Sequence, residues 1–181
     1  MVWWWTAFGS RRNLPFIIRA EGTLVIEWLI RPAQGADAAG ISRVITSALR
    51  ETNAKDYSEA VIARVEQSFS PAAVSDLLER RLVFVAINND SIVGTASLDG
   101  QVVRTVFVDP QCQGRGIGRA LMAEVERAAV ERGVAVLAVP SSVTAEPFYA
   151  KLGFKSVRDS HHGEERTIVM ERPLLRFAEE R

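Results

Sequence analysis

The sequence contains a single cysteine, Cys112, among its 181 residues. One cysteine cannot form a disulfide within the chain, nor supply the cysteine cluster of a structural zinc site. Proteins without disulfides are typical of reducing compartments. We therefore expect a cytoplasmic protein, and we expect it to work without a bound metal.

The sequence also lacks long apolar stretches and an excess of charge of either sign. No apolar run approaches the ~20 residues of a membrane-spanning helix, so we expect no membrane partner. The 22 lysine and arginine residues equal the 22 aspartate and glutamate residues, which gives a formal net charge of zero at pH 7. A chain without net positive charge has no global field to attract nucleic acid, and we expect no nucleic-acid partner.

The N-terminal segment is unusual because Trp3, Trp4 and Trp5 precede Arg11 and Arg12. A signal peptide has the opposite order, with positive charge before the apolar stretch. We expect residues 1–24 to be a poorly ordered extension, or to follow from a start site assigned too far upstream. A membrane-interface anchor or a homodimer contact through the tryptophans remains the alternative. Residues 25–175 are then one domain, a size that suits the chain length, and 176–181 a tail.

Apolar periodicity divides the rest of the chain into helices and strands. Strands are predicted at 25–31, 82–87, 92–98, 102–108, 134–139, 154–157 and 167–170, and helices at 34–50, 61–65, 71–81, 116–132 and 144–152. The segments 51–58 and 158–166 are polar and are predicted to be loops. Ser70-Pro71 is a helix-start signal, as is Thr144.

Two turn signals join the central strands into a meander. Asn88 to Asp90 forms one turn, and Asp99-Gly100 is predicted to occupy both central positions of the next, which require positive φ. A strand, a helix and a strand follow with short links, which indicates a parallel right-handed crossover. The prediction is an α/β fold with a mixed sheet, mostly antiparallel with one parallel β-α-β crossover, and with helices on both faces.

Gly114, Gly116 and Gly118 lie between a predicted strand and a predicted helix. Without Cβ atoms, backbone amides can approach an anion closely, and the helix start adds unpaired amides and a positive dipole. A Walker loop needs Lys-Ser/Thr after its last glycine, but Arg119-Ala120 follows here. The dinucleotide fingerprint does not match in either register. The pattern predicts a site for a diphosphate, or an ordinary turn between strand and helix.

Two motifs give this loop a family context. The pattern Gln-x-x-Gly-x-Gly at Gln113 to Gly118, after the strand 106–108 and Asp109-Pro110, resembles the acetyl-CoA-binding motif of the GNAT superfamily of N-acetyltransferases. Pro147 to Phe154 resembles the second motif of that superfamily. The order of elements matches over about residues 25 to 172. The resemblance implies the GNAT fold, with acetyl-CoA as cosubstrate.

The resemblance also implies roles for particular residues. Backbone amides from Gly114 to Arg119 would bind the pyrophosphate, and a splayed pair of strands would admit the pantetheine arm beside Phe107 and Val108. The Val108 amide would stabilise the thioester oxygen. The implied cofactor-binding residues are Phe107, Val108, Gln113, Gly114, Arg115, Gly116, Ile117, Gly118, Arg119 and Ser142. Ser141 and Ser142 could equally be helix-start residues.

Tyr149 matches the tyrosine that protonates the departing thiolate in many members of this superfamily. Its alternative is a packing aromatic in a short helix. Glu51, Asp56 and Glu59 lie where an acceptor site is expected, but none is singled out as the general base. We expect structural roles for Asp99 and for a solvated His161-His162 turn, and an incidental role for Cys112.

The expected function is N-acetylation of a primary amine, in a small molecule or a peptide, by direct attack within a ternary complex. A non-catalytic module that senses acyl-CoA is the first alternative. The second is a toxin that acetylates aminoacyl-tRNA, against which the balanced charge argues.

Overall fold

A computed structural model of the chain describes residues 14–20, 23–53, 58–162 and 165–174. The strands are β1 (Leu14–Ala20), β2 (Thr23–Pro32), β3 (Leu82–Asn88), β4 (Ser91–Asp99), β5 (Val102–Val108), β6 (Val136–Ser142), β7 (Lys155–His162) and β8 (Glu165–Pro173). The α-helices are α1 (Ala38–Ala48), α2 (Glu59–Gln67), α3 (Pro71–Arg80), α4 (Ile117–Glu131) and α5 (Glu146–Lys151). A π-helical turn, Leu49–Asn53, extends α1.

Within the described residues, eight strands form one sheet in the order β1-β2-β3-β4-β5-β6-β8-β7. Only β5 and β6 pair in parallel, and α4 connects them. All other neighbours are antiparallel. The predicted mostly antiparallel sheet with one parallel crossover is confirmed.

Helices pack on both faces of this sheet, as predicted. Strand β3 shows the alternation that requires two layers: Val83 and Val85 pack with α1 and α3, whereas Phe84 and Ala86 pack with α4 on the opposite face. Successive side chains of a strand point to opposite faces, so an almost continuous apolar run indicates burial on both sides. None of the described helices is long and apolar enough to cross a membrane.

The two predicted hairpins form, but one turn is shifted by a residue. Asn89 and Asp90 both have positive φ, 44° and 61°, and form the two-residue turn between β3 and β4. In the next hairpin Asp99 pairs with Val102, so Gly100, at φ 60°, occupies the first central position. The prediction that Asp99 is a central turn residue is wrong. Asp99 ends the ladder, and its carboxylate lies 3.3 Å from Arg81 Nε.

Two further differences lie at the edges of the sheet. Strand β1 falls inside the segment assigned to an N-terminal extension, and β2 begins at Thr23. Trp3 to Trp5 lie outside the described residues. The predicted loop 158–166 is largely strand, because β7 and β8 pair from Lys155↔Glu171 to His162↔Glu165. The side chains from Lys155 to Asp159 are exposed on this edge strand, so they show no apolar pattern that a sequence could reveal.

An ion pair fixes the start of the first helical layer against β2. Arg31 Nη1 and Nη2 donate to the two carboxylate oxygens of Asp37 at 2.6 and 2.9 Å. The amide of Gln34 also donates to Asp37, at 2.7 Å. The guanidinium of Arg31 holds the pKa of the Asp37 carboxyl below its ordinary value. Asp37 is buried, so this bidentate pair is shielded from water and retains its strength.

We predict that Asp37→Asn lowers the free energy of unfolding at pH 7 by about 1–3 kcal/mol, because the charge-assisted bonds to Arg31 are lost. The folded-state pKa of Asp37 is lowered, so its stabilisation is present above the unfolded pKa of about 3.9 and is lost as the pH falls below it. The difference between variant and parent should therefore shrink below about pH 4. Urea unfolding at several pH values measures it, with the exposed Asp76→Asn as control.

Candidate functional site

The parallel pair β5 and β6 separates almost as soon as it forms. Its only Cα partners among the described residues are Val102 and Ala138, next to a hydrogen bond from the Ala138 amide to Gln101 O at 3.0 Å. Strand β6 meanwhile pairs with β8 along its whole length. A gap therefore opens between the carboxyl ends of β5 and β6, which is the splayed pair that the resemblance implied.

A β-bulge bends β5 just before this gap. Ser97 pairs with Arg104 and Thr95 pairs with Phe107, so two residues of β5 lie opposite one residue of β4. Thr105 in the bulge has φ 47°, and its hydroxyl lies 2.7 Å from the hydroxyl of Ser97. A bulge bends its strand and increases the local twist, which accounts for the departure of β5 from β6.

The register after the bulge sets the direction of the Val108 backbone. The Asp109 amide donates to Val93 O at 2.8 Å, and Val108 lies opposite Gly94. Hydrogen-bonded and non-hydrogen-bonded pairs alternate in an antiparallel ladder, so the N–H and C=O of Val108 point away from β4, toward the gap. The same alternation directs the backbone of Phe107 toward Thr95. Of the two predicted residues, Val108 is the one whose backbone faces the gap.

The ring of Phe107 lies on the other side of the sheet from α4. It contacts Phe69 edge to face, with ring centroids 6.3 Å apart. Phe107 packs against the cluster of α1 and α3 residues, so it lines the face opposite the glycine loop.

The glycine loop connects the end of β5 to α4. A short 3-10 turn, Pro110–Cys112, begins with the Asp109 carboxylate accepting from the Gln111 amide at 2.9 Å. Gly114 and Gly116 then have φ 78° and 83°, in the left-handed region that favours glycine. A Cβ at either position would meet no heavy atom within 4 Å, so the backbone of the loop is open to a ligand.

The start of α4 offers unpaired amides beside this open loop. Gly116 precedes the helix and provides no side-chain cap, and the first helical bond runs from the Ala120 amide to Gly116 O. The amides of Ile117, Gly118 and Arg119 therefore have no partner within the helix. Together with the helix dipole they favour an anion.

The third glycine allows close packing, whereas the other two adopt a left-handed backbone conformation. Gly118 lies within α4, and a Cβ there would lie 3.4 Å from the Phe148 ring and 3.6 Å from Val108 Cγ2. It thus brings the first turn of α4 against both the end of β5 and the α5 segment. Gln113 adds a contact from the loop to β5, since its side-chain amide lies 3.4 Å from Val108 O.

The charges around the loop are positive. The side chains of Arg115 and Arg119 are exposed, and the first turn of α4 contains no acidic residue. Arg119 forms no ion pair with the residues that the structure describes. An anion at the helix start would therefore face cationic side chains with no nearby carboxylate from that turn to compete.

Tyr149 lies in α5 with its ring in the core. The side chain is 6% exposed, and its ring contacts Phe148 and Phe154 edge to face at 5.1 and 5.8 Å. Burial raises the pKa of its phenol, so it is neutral and carries its proton at pH 7. Within the described part of the chain its hydroxyl has no hydrogen-bond partner, and the oxygen is not among the fully buried polar atoms. The hydroxyl thus retains a surface from which to donate.

The two serines at the end of β6 take structural roles. Ser142 Oγ accepts from the Ala145 amide at 3.2 Å, and buried Ser141 donates to Ser142 O at 2.8 Å. Ala145, rather than the predicted Thr144, precedes α5. The contact with the Ala145 amide supports the helix-start interpretation of Ser142, and a contact of Ser142 with the cofactor stays a prediction.

The candidates for a general base are not brought together by these contacts. Glu51 is exposed and accepts from Ser47 Oγ at 3.1 Å, and Glu59 is exposed in the first turn of α2. Asp56 lies outside the described residues. His161 and His162 belong to β7 instead of a turn, and their side chains also lie outside the described part.

No group of three or more potential metal ligands occurs among the residues that the structure describes. Cys112 is half-buried beside the core of the α4 face.

Two features of the site were not predicted from the sequence, the bulge at Thr105 and the glycine opposite Val108. A threonine within a strand gives no signal for a bulge, whereas a glycine inside a strand such as Gly94 does indicate a close approach of backbone or helix.

Comparisons with known proteins match the chain to one family and its fold. The family described as acetyltransferase (GNAT) domain matches residues 53–170. The chain is 30% identical over 129 residues to the uncharacterized N-acetyltransferase YafP of Escherichia coli, covering 71% of this chain and 82% of that protein. The crystal structure of a GCN5-related N-acetyltransferase from Rhodopseudomonas palustris aligns with a TM-score of 0.74 at 26% identity, over 80% of this chain and 94% of that one.

A second solved structure contains a ligand. The PaiA N-acetyltransferase of Thermoplasma acidophilum, in complex with coenzyme A, aligns with a TM-score of 0.71 at 20% identity. The alignment covers 81% of this chain and 98% of that one, and it supports the same fold.

We predict that Gly116→Ala lowers the free energy of unfolding by about 1–2 kcal/mol, because an L-residue is strained at a left-handed φ. Gly35→Ala is the matched control, since Gly35 has no positive φ and an added Cβ meets nothing within 4 Å. The control should be neutral or slightly stabilising. Urea unfolding compares the two, and equal losses would contradict the left-handed conformation of Gly116.

Proposed function

The chain belongs to the GNAT acetyltransferase family, and from that premise we propose that it transfers the acetyl group of acetyl-CoA to a primary amine of a small molecule or peptide, by direct attack within a ternary complex. It is an acyl-CoA-dependent N-acyltransferase. One observation carries the proposal: the Val108 amide faces the mouth of the β5–β6 gap, next to an open glycine loop at a helix start.

The loop residues suit the diphosphate of coenzyme A. Open backbone at Gly114 and Gly116 leads directly to the unpaired amides of α4, and Arg115 and Arg119 add positive charge. Backbone amides and a helix dipole bind phosphate oxygens without requiring a particular side chain. Acetyl-CoA supplies the acetyl group as a thioester at the end of its pantetheine arm. The gap between β5 and β6 lies where that arm would enter.

Val108 and Tyr149 then have separate roles in the reaction. The Val108 N–H donates to the thioester oxygen as negative charge develops on it, which lowers the barrier because the donor is already oriented. Tyr149 donates its proton to the departing sulfur. A buried phenol with a raised pKa is a weak acid, so it acts in concert with bond cleavage, not before it.

The reaction is balanced without a covalent intermediate on the protein. The nitrogen of the neutral amine forms a bond to the acetyl carbon, the carbon–sulfur bond breaks, and the sulfur gains the proton of Tyr149. The amine loses one proton, which passes through solvent and restores the phenol. Cys112 takes no part in these steps, which agrees with its half-buried position beside the core.

The competing function is a module that binds acyl-CoA without turning it over. A sensor needs the loop and the gap but has no use for an open tyrosine hydroxyl, so Tyr149 favours the enzyme. The deciding assay incubates the purified chain with acetyl-CoA and a pool of polyamines, amino acids, aminoglycosides and peptides. Thiol release that depends on the pool supports the proposal. Tight CoA binding with no turnover across the whole pool would show a sensor.

Arg119 and Arg132 lie near opposite ends of α4, so that one can be tested and the other can serve as its control. We predict that Arg119→Gln raises the dissociation constant for CoA about three- to tenfold, because a charge-assisted contact to phosphate is lost. Arg132→Gln should leave binding unchanged, since its side chain is exposed at the far end of the helix. Calorimetric titration at low and moderate salt measures both, and equal constants for the two variants would contradict phosphate binding at the loop.

Tyr149→Phe removes one oxygen and keeps the ring. We predict that kcat falls about 100-fold, within the usual range for a lost general acid. KM for acetyl-CoA and the melting temperature should stay close to those of the parent, because the hydroxyl has no hydrogen-bond partner among the described residues. Steady-state kinetics and thermal unfolding test this. An unchanged kcat would assign Tyr149 to packing alone.

A further inference from the structure

We propose that Gly94 is a positioning residue whose missing side chain sets the distance between the glycine loop and the Val108 amide, so that one CoA molecule can engage both at once. The inference rests on the proposed function, since it concerns the two ends of the same cofactor site. Gly94 lies in the middle of β4, where a glycine weakens a strand and needs a reason to be present.

The register places Gly94 directly opposite the residue that faces the gap. Gly94 and Val108 are Cα partners in the β4–β5 ladder. They form a non-hydrogen-bonded pair, in which Cα atoms approach to about 4.5 Å and side chains share one face. Whatever Gly94 carries on that face therefore lies beside Val108 and under α4.

The space on that face is already filled by the first two turns of α4. A Cβ on Gly94 would lie 3.0 Å from both Ile117 Cγ2 and Leu121 Cδ1, and 3.3 Å from Phe107 O. Ile117 and Leu121 are 2% and 0% exposed, so neither side chain can move outward into solvent. The contact is relieved by moving the helix away from the sheet, because the packed core leaves no other free volume.

Movement of this helix start changes the cofactor site at once. Ile117 is the first residue of α4, and its amide belongs to the unpaired set beside the loop. One residue later, Gly118 brings the helix to within contact of Val108 Cγ2. Gly118 on the helix thus lets the helix start touch the end of β5, and Gly94 on β4, opposite Val108, lets the same helix lie close to the sheet.

A glycine in a helix on the other face of the sheet provides a control for crowding alone. A Cβ on Gly40 in α1 would lie 2.7 Å from Ile92 Cδ1, so alanine is at least as crowded there as at position 94. Gly40 packs α1 onto the opposite face of β4, away from α4 and the loop. Both substitutions overpack the protein, but only one displaces the helix that carries the loop.

The test compares whole and half ligands on Gly94→Ala and Gly40→Ala at a temperature below both melting points. CoA spans the loop and the gap, whereas adenosine 3′-phosphate 5′-diphosphate reaches only the loop. For Gly94→Ala we expect the affinity for CoA to fall about tenfold and that for the half ligand to change less than about twofold, because only the spacing of two intact halves is altered. For Gly40→Ala we expect a lower melting temperature with both affinities unchanged.

Rescue distinguishes spacing from general damage. Ile117→Leu and Leu121→Val together remove Cγ2 and Cδ1, the two methyls that the new Cβ would meet, so adding Gly94→Ala to this double variant should leave its affinity for CoA unchanged. If Gly94→Ala alone fails to fold, this comparison takes the place of the one between Gly94→Ala and the parent protein. A triple variant that folds but binds CoA much more weakly than Ile117→Leu, Leu121→Val would overturn the proposal.

Two further outcomes overturn it. One is an unchanged CoA affinity in Gly94→Ala, and the other is an equal loss for CoA and the half ligand, which would place the damage in the loop itself. Failure of the parent protein to bind CoA would instead remove the proposed function, so the two failures are distinguishable.

Discussion

The early end of the pairing between β5 and β6 is the constraint on which the rest of the site depends. After Val102 and Ala138 the two parallel strands share no further backbone pairs in the described chain, although both continue for several residues. Unpaired backbone polar groups are tolerated only where water or a ligand can satisfy them. The open ends therefore create both a cleft and a row of groups ready to bind an extended ligand.

The bulge at Thr105 makes this separation compatible with a stable sheet. On its β4 side, β5 keeps its ladder on both sides of the bulge. The left-handed residue, Thr105, is held there by the hydrogen bond between its hydroxyl and that of Ser97. The strand is bent without being released. The bend imposes local strain on Thr105, a non-glycine residue with positive φ. The strain persists because the surrounding core fixes this backbone conformation.

Close packing of α4 converts the bent strand into a two-part site. The helix start supplies anion-binding amides and the strand end supplies Val108, and glycine at positions 94 and 118 allows the two to touch. Tyr149 packs into the same core from α5 with its hydroxyl left open. Each part alone is common in α/β proteins, and the proposed function depends on the spacing between them.

The sequence by itself determined the position of the glycine loop and the alternation of apolar residues that places helices on both faces. Both depend on local rules, because the spacing of glycines, the helix periodicity and the turn residues each act over a few positions. It missed the edge strand β1 and ended β7 at residue 157, since an edge strand such as Lys155–His162 needs no apolar pattern. It also shifted the turn at Gly100 by one residue. Only the tertiary structure decided that Val108, not Phe107, faces the gap, because one bulge residue in β5 reverses which backbone groups point outward.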